Sequence, residues 1–299
     1  MSNIEGIKSN YLAGFLSIIL AATIGCNIFD NQRDAELVDI ILVTKNLQVG
    51  QQRVSLLLNV DSGKGQPSSG VLSVHPAADR KVIDKQIAEY HRWPYGMRGA
   101  YSTNMNFIQP GPWELEIQFD VEGDVHVGRL KLNVAEKLPV PSPGHRPPQT
   151  TTPTLVEDKE IALLTTDYSP DPELYQISIK EALQDDKPDV IVFASPGFCT
   201  SPTCGPQVDT LSMLNKLYPH EANFIHVEIY DNPSEIQGDL EKLVFADAVE
   251  DWGFTQLPGW INESWTFVID GDGVVNQCFE GFVTLEELDH ALGSVVKAR

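Results

Sequence analysis

Lys137 to Thr154 reads KLPVPSPGHRPPQTTTPT, eighteen residues holding six prolines. Proline fixes φ and removes a backbone donor, so such a run can neither continue a helix nor sit inside a sheet. The run predicts an extended, semi-rigid spacer over 137–155 that holds two modules apart. The charge supports that division. Residues 1–155 carry 15 acids and 14 bases, residues 156–299 carry 27 acids and 7 bases, and the whole chain has a net charge of -21. A surface so acidic repels phosphate backbones, which excludes nucleic acid as a partner. With 42% hydrophobic and 21% charged residues the chain has the composition of a globular protein.

Tyr11 to Gly25, YLAGFLSIILAATIG, is an apolar run that stops at Cys26. It has the length of a secretory signal and falls short of the roughly 20 residues that cross a bilayer as a helix. The residues before Cys26 resemble a bacterial lipoprotein signal, which implies lipidation at Cys26. An uncleaved anchor running on through Ile28 and Phe29 is the alternative. Both place 1–31 as a membrane anchor and the rest of the chain in the cell envelope, facing outside the cytoplasm, where disulfides persist.

Before the spacer, strand patterns dominate. From Trp113 to Val121 every odd residue is apolar and every even one polar, and Val54, Leu56, Leu58 and Val60 repeat the alternation. In the run after Val125 the apolar parity changes at Gly128, which predicts a bulge there. With Val38–Thr44, Val71–His75 and Ala100–Phe107, six or seven strands fall within about a hundred residues, the spacing of an antiparallel sandwich. The expectation for 32–136 is an all-β immunoglobulin-like sandwich, by architectural resemblance to small envelope modules. His75, His91, Met97, Met105 and His126 are soft-ligand types scattered over fifty residues, a pattern of packing and surface positions rather than a metal site.

After the spacer, strands alternate with helices. Asp189–Ala194 reads as a buried strand, Leu211, Leu214 and Leu217 as a helix, Phe224–Ile229 and Trp265–Ile269 as strands, and Asp270–Gly273 as a hairpin turn. Thr284 and Glu287 form a capping box that opens a final helix. Four cysteines are present. Cys199 and Cys204 fall in the loop between the buried strand and the following helix, where a helix N-terminus favours thiolate. Five positions on a regular helix span about 140° around its axis, so Cys199 belongs to the loop and Cys204 to the helix start. Cys278, in a strand pattern, reads as a small buried side chain.

The run Phe193-Ala-Ser-Pro-Gly-Phe-Cys199-Thr-Ser-Pro-Thr-Cys204-Gly-Pro206, with the later Trp265–Gly273 segment, resembles the redoxin branch of the thioredoxin-like proteins over roughly Tyr175 to Lys297. The resemblance implies an α/β thioredoxin-like fold for 156–299 and a redox-active Cys199–Cys204 pair. It implies no cofactor and no metal. Four residues separate the cysteines instead of two, Ser264 stands where the family has a cis-proline, and Val192 where thioredoxin has a buried aspartate. The activity implied is that of an envelope-anchored thiol-disulfide oxidoreductase, whose partners would be cysteine-containing exported proteins or a membrane electron donor. Either cysteine can serve as nucleophile, Cys199 as the exposed thiol or Cys204 as the one at the helix start. Two other readings are copper delivery and a binding protein with a structural disulfide. Copper delivery would need a histidine before the Trp265 strand, where there is none; His226 and His290 lie far off.

Overall fold

In the first half of the chain, alternating apolar residues build a sheet whose strands reach eleven and twelve residues. The computed structural model describes residues 36–58, 67–94, 99–155, 160–236 and 239–296. The anchor segment 1–31 with Cys26, and also Met97, lie outside the described residues. Nine strands form the first sheet among these residues: β1 (Glu36–Val38), β2 (Ile40–Leu42), β3 (Leu47–Gln48), β4 (Gly50–Leu58), β5 (Ser69–Pro76), β6 (Asp84–Arg92), β7 (Gly99–Phe107), β8 (Gly111–Val121) and β9 (Asp124–Ala135).

The immunoglobulin-like sandwich expected for 32–136 does not form. A sandwich needs two sheets packed face to face. Here one hydrogen-bonded path runs unbroken in the order β1-β9-β8-β5-β6-β7-β4-β2, with β3 added beside β9. Its two end strands are separated in the chain by Asp39 alone, so a single segment pairs with β9 at one edge and β4 at the other. The sheet therefore curls into a half-barrel around its own apolar face. Leu56, Leu72, Tyr101, Phe107, Trp113, Leu115 and Ile117 fill that interior, and Trp113 meets Phe107 edge-on at 5.1 Å.

Gly128 is not a bulge either. Strands β8 and β9 keep one register from Gly111↔Val134 to Val121↔Asp124. The parity changes because His126, Val127 and Gly128 are all buried. A Cβ on Gly128 would lie 2.7 Å from Ile40; the glycine lets the closing segment approach.

The second sheet is four-stranded, in the order β11 (Asn223–Glu228), β10 (Asp189–Ala194), β12 (Trp265–Ile269), β13 (Val275–Glu280). β10 and β11 are parallel, while β12 and β13 run antiparallel to their neighbours. Helices are few among the described residues: α1 (Ile179–Ala182), α2 (Cys204–Leu217), α3 (Pro233–Ile236), α4 (Asp247–Asp251) and α5 (Leu285–Gly293). Successive residues of β10 serve opposite faces. Val190, Val192 and Ala194 pack with Val208 and Leu211 of α2 and Leu288 and Leu292 of α5. Ile191 and Phe193 pack on the other face with Trp252, Phe254 and Phe267.

This sheet is not a separate α/β domain, because the described residues from Glu36 onward form one compact unit. Asn46 donates to buried Glu280 from its backbone N–H (2.7 Å) and its side chain (2.8 Å). Arg53 on β4 donates from Nε to Glu287 at 2.8 Å, and Ser102 on β7 bonds the same carboxylate at 2.8 Å. Glu287 thus completes the α5 capping box and the ion pair between the sheets.

The proline-rich run is no free spacer. Leu138 and Val140 are 7% and 2% exposed and belong to the core beneath β10 and β12. Leu138 N–H donates to Gln48 at 2.8 Å, Gly144 N–H to Val275 O at 2.8 Å, and Ile179 N–H to Thr152 Oγ1 at 3.1 Å. Prolines set the extended backbone, and the groups they leave are satisfied by Gln48 of the first sheet and by the second sheet and its flanks.

Candidate disulfide site

All six residues of β10 are buried, which fixes the chain where it leaves the sheet at Ser195. The loop from Ser195 to Thr203 carries Cys199, half-buried, and ends at buried Cys204, the first residue of α2. Cys199 and Cys204 form a disulfide, their Cα atoms 6.1 Å apart. The structure thus leaves one cysteine partly exposed and holds the other at a helix N-terminus, where backbone N–H groups favour negative charge.

Asn262 faces the bond from the chain before β12. Both sulfurs lie 3.8 Å from its carbonyl oxygen. Its side chain grips the loop on either side of Cys199: Oδ1 accepts from Thr200 N–H (3.0 Å) and Oγ1 (2.9 Å), while Nδ2 donates to Phe198 O (2.6 Å) and the Tyr230 hydroxyl (3.1 Å). The next residue, Glu263, accepts from Ser201 Oγ at 2.8 Å and Thr203 Oγ1 at 3.2 Å, and Ser201 Oγ is 3.6 Å from Cys199 Sγ. Ser264, at the position that resemblance aligns with a cis-proline, is buried, and its carbonyl accepts from Gly281 N–H. Asn262, two residues earlier, is the residue that faces the sulfurs.

On the opposite side the loop is tied to a buried carboxylate. Glu228, at the end of β11, accepts through Oε2 from Thr166 N–H and Thr166 Oγ1, both at 2.8 Å. Thr166 Oγ1 in turn accepts from Gly197 N–H at 2.9 Å and lies 3.3 Å from Ser195 Oγ. Burial pushes the Glu228 carboxyl up to about 7, although its hydrogen bonds pull the other way. Beside Val192 in the ladder stands His226. Its Nδ1 lies 2.7 Å from the Tyr175 hydroxyl and its Nε2 3.1 Å from Ala194 O, and burial pushes it down to about 4.

Of the residues read from the sequence, Cys199 and Cys204 are brought together. His226 is enclosed by Tyr175 and β10, and His290 lines a separate cleft with Arg53 and His91. Cys278 packs against the core under β12, and burial pushes its thiol up to about 12, which leaves it unreactive. Asp270 closes the β12–β13 turn by accepting from Asp272 and Val274 N–H. Asn262, Glu263, Thr166 and Glu228 were not legible as site residues. One signal existed for Glu228: in Phe224–Ile229 the polar residues His226 and Glu228 alternate inside an otherwise apolar strand.

Around the disulfide the strand order is a parallel pair joined through α2, then two antiparallel strands and a closing helix. No protein-family model matches the chain, and no curated protein does. Two solved structures show distant likeness. A thiol:disulfide interchange protein of the thioredoxin family from Chlorobium tepidum is 13% identical over 55% of this chain and 100% of that one, with a TM-score of 0.32. An engineered protein is 10% identical over 34% of this chain, and the match spans 20% of its own length at a TM-score of 0.23. Likeness at this level carries no argument about the site, which rests on its own geometry.

Proposed function

We propose that the chain is a thiol-disulfide oxidoreductase that cycles Cys199–Cys204 between disulfide and dithiol, held at the cell envelope by its N-terminal segment. One observation carries the reading: the disulfide closes between a half-buried loop cysteine and a fully buried cysteine at the start of α2. In the oxidising direction, a substrate thiolate attacks Cys199 Sγ and Cys204 leaves with the bonding electrons as a thiolate at the helix N-terminus. A second substrate thiolate then attacks the mixed disulfide at the substrate sulfur. Cys199 departs as thiolate, and the substrate leaves oxidised by two electrons. The reverse sequence reduces a substrate disulfide with Cys199 as the attacking group. Cysteine-bearing exported proteins, or a membrane electron donor, are the partners this chemistry requires. The envelope location is supported by the apolar run before Cys26; among the described residues no helix is long and apolar enough to cross a membrane.

The test is trapping. Cys204→Ser should accumulate mixed disulfides through Cys199, because the resolving sulfur is gone, and Cys199→Ser should accumulate none. Trapping only by Cys199→Ser would reverse the two roles. Trapping by neither would refute the reading.

A further inference from the structure

The tie between Glu228 and the cysteine loop points to regulation of the same site, a role that rests on the oxidoreductase reading. Thr166 has one hydroxyl proton. It donates that proton to Glu228 at 2.8 Å, which leaves Oγ1 as the acceptor for Gly197 N–H at 2.9 Å. The contact is tight, since a Cβ on Gly197 would come within 2.9 Å of Thr166 Cβ. Gly197 is two residues before Cys199, so the loop carrying the half-buried cysteine hangs from Thr166 and, through it, from the carboxylate. Glu228 also accepts from Ile229 N–H at 3.1 Å. The bonds that Glu228 itself accepts are charge-assisted while the carboxylate is ionised. Protonation makes them neutral ones about half as strong, and it turns one of the two acceptor oxygens into a donor that opposes the N–H or O–H directed at it.

Protons can reach the group. A cleft of about 270 Å³ opens at the outer edge of β11 and is lined by Glu228 together with Tyr175, His226, Tyr230, Asp231 and Asp247. Those residues, with Asp167 beside Thr166, are the titratable groups that face Glu228 from the elements around it. Burial holds His226 neutral near pH 7 and raises both tyrosine hydroxyls. Glu228 is pushed up to about 7.

We propose that Glu228 is a positioning residue that holds the Cys199 loop through Thr166, and that proton uptake by its carboxyl loosens the loop and exposes the disulfide to attack. The enzyme would then exchange faster in mildly acidic surroundings than in alkaline ones, relative to a form that cannot titrate.

Glu228→Gln fixes the group neutral with little change in shape. The experiment measures the rate of disulfide reduction by dithiothreitol in full-length wild type and variant from pH 5.5 to 8.5. Taking the ratio of the two rates at each pH cancels the reagent's own titration. The ratio of wild type to variant should be near one below pH 6 and fall several-fold above pH 8, with a midpoint near 7. The Gly197 amide shift should titrate with the same midpoint in wild type and stay flat in the variant, a signature that a purely structural role would not give. Should Glu228→Gln fail to fold, Thr166→Val tests the same link by removing Oγ1, and the ratio of wild type to this variant should fall as pH rises, about the same midpoint. A bond readily reduced in both proteins at a constant ratio overturns this proposal and leaves the oxidoreductase reading standing. A bond that dithiothreitol cannot reduce in either overturns both.

Discussion

Reducing the Cys199–Cys204 bond should weaken the fold by about 2 kcal/mol and leave it folded. The two cysteines are five positions apart. For so short a ring the chain-entropy relation gives roughly 7 cal/mol/K, or about 2 kcal/mol at 25 °C. A globular fold holds about 5–15 kcal/mol in reserve. The packing of Cys204 with Val192, Val208 and Leu211 does not depend on the S–S bond. A redox cycle needs this outcome, because the dithiol is one of its two working states. Urea unfolding, followed by the fluorescence of buried Trp252 and Trp265, would be run with and without a phosphine reductant. With a slope of about 2–3 kcal/mol per molar urea, the midpoint should drop by about 1 M or less. Reduction that unfolds the protein in buffer, or that costs more than about 5 kcal/mol, would refute the reasoning and make the bond a structural staple.

Three further outcomes are expected from the contacts between the sheets and from the buried spacer. Burial raises the Glu280 carboxyl from 4.5 to about 7 against the pull of Asn46, so its contribution is fully present below about pH 4.5 and is lost as pH rises through 7. At 1.36 kcal/mol per unit this amounts to about 3 kcal/mol. The stability of wild type relative to Glu280→Gln, from urea unfolding, should therefore fall between pH 5 and 8; a flat difference would be inconsistent with a buried, titrating carboxyl. Glu287 has the opposite sign: burial raises it, but the charge and hydrogen bonds of Arg53 outweigh that and hold it at about 2. Its support is present above pH 4.5 and disappears as pH falls through 2, so Glu287→Gln should cost most near neutrality. Val140→Asp, which would bury a charge in the core under β10, should cost more than about 3 kcal/mol in the same assay, whereas a free spacer would tolerate it.

The strands were legible because alternation reports which residues face inward. Which strand lies beside which is a separate matter, set by non-local pairing. The alternation of Trp113–Val121 serves a sandwich or a half-barrel equally, and only the continuous ladder from β9 to β4 decides between them. Gly128 shows the same gap: its parity change arises from the approach of Ile40, nearly ninety residues away in sequence. In the spacer, proline content correctly predicted an extended chain, but Leu138 and Val140 alternate with Pro139 and Pro141, and an extended apolar alternation can be buried as readily as a strand. Around the disulfide, the two cysteines were legible because strand, loop and helix are contiguous. Asn262 reaches the loop, and Glu228 reaches the Thr166 that ties it, across sequence separations of 62, where no local spacing rule applies.

An oxidoreductase must make and break the Cys199–Cys204 bond as part of its work. The equilibrium reduction potential of that bond, measured against graded glutathione or dithiothreitol buffers with the full chain, tests this most directly. The expected value lies between about -120 and -270 mV, the range of dithiol-disulfide exchange proteins, and a value below about -300 mV, where structural disulfides lie, would contradict the assignment.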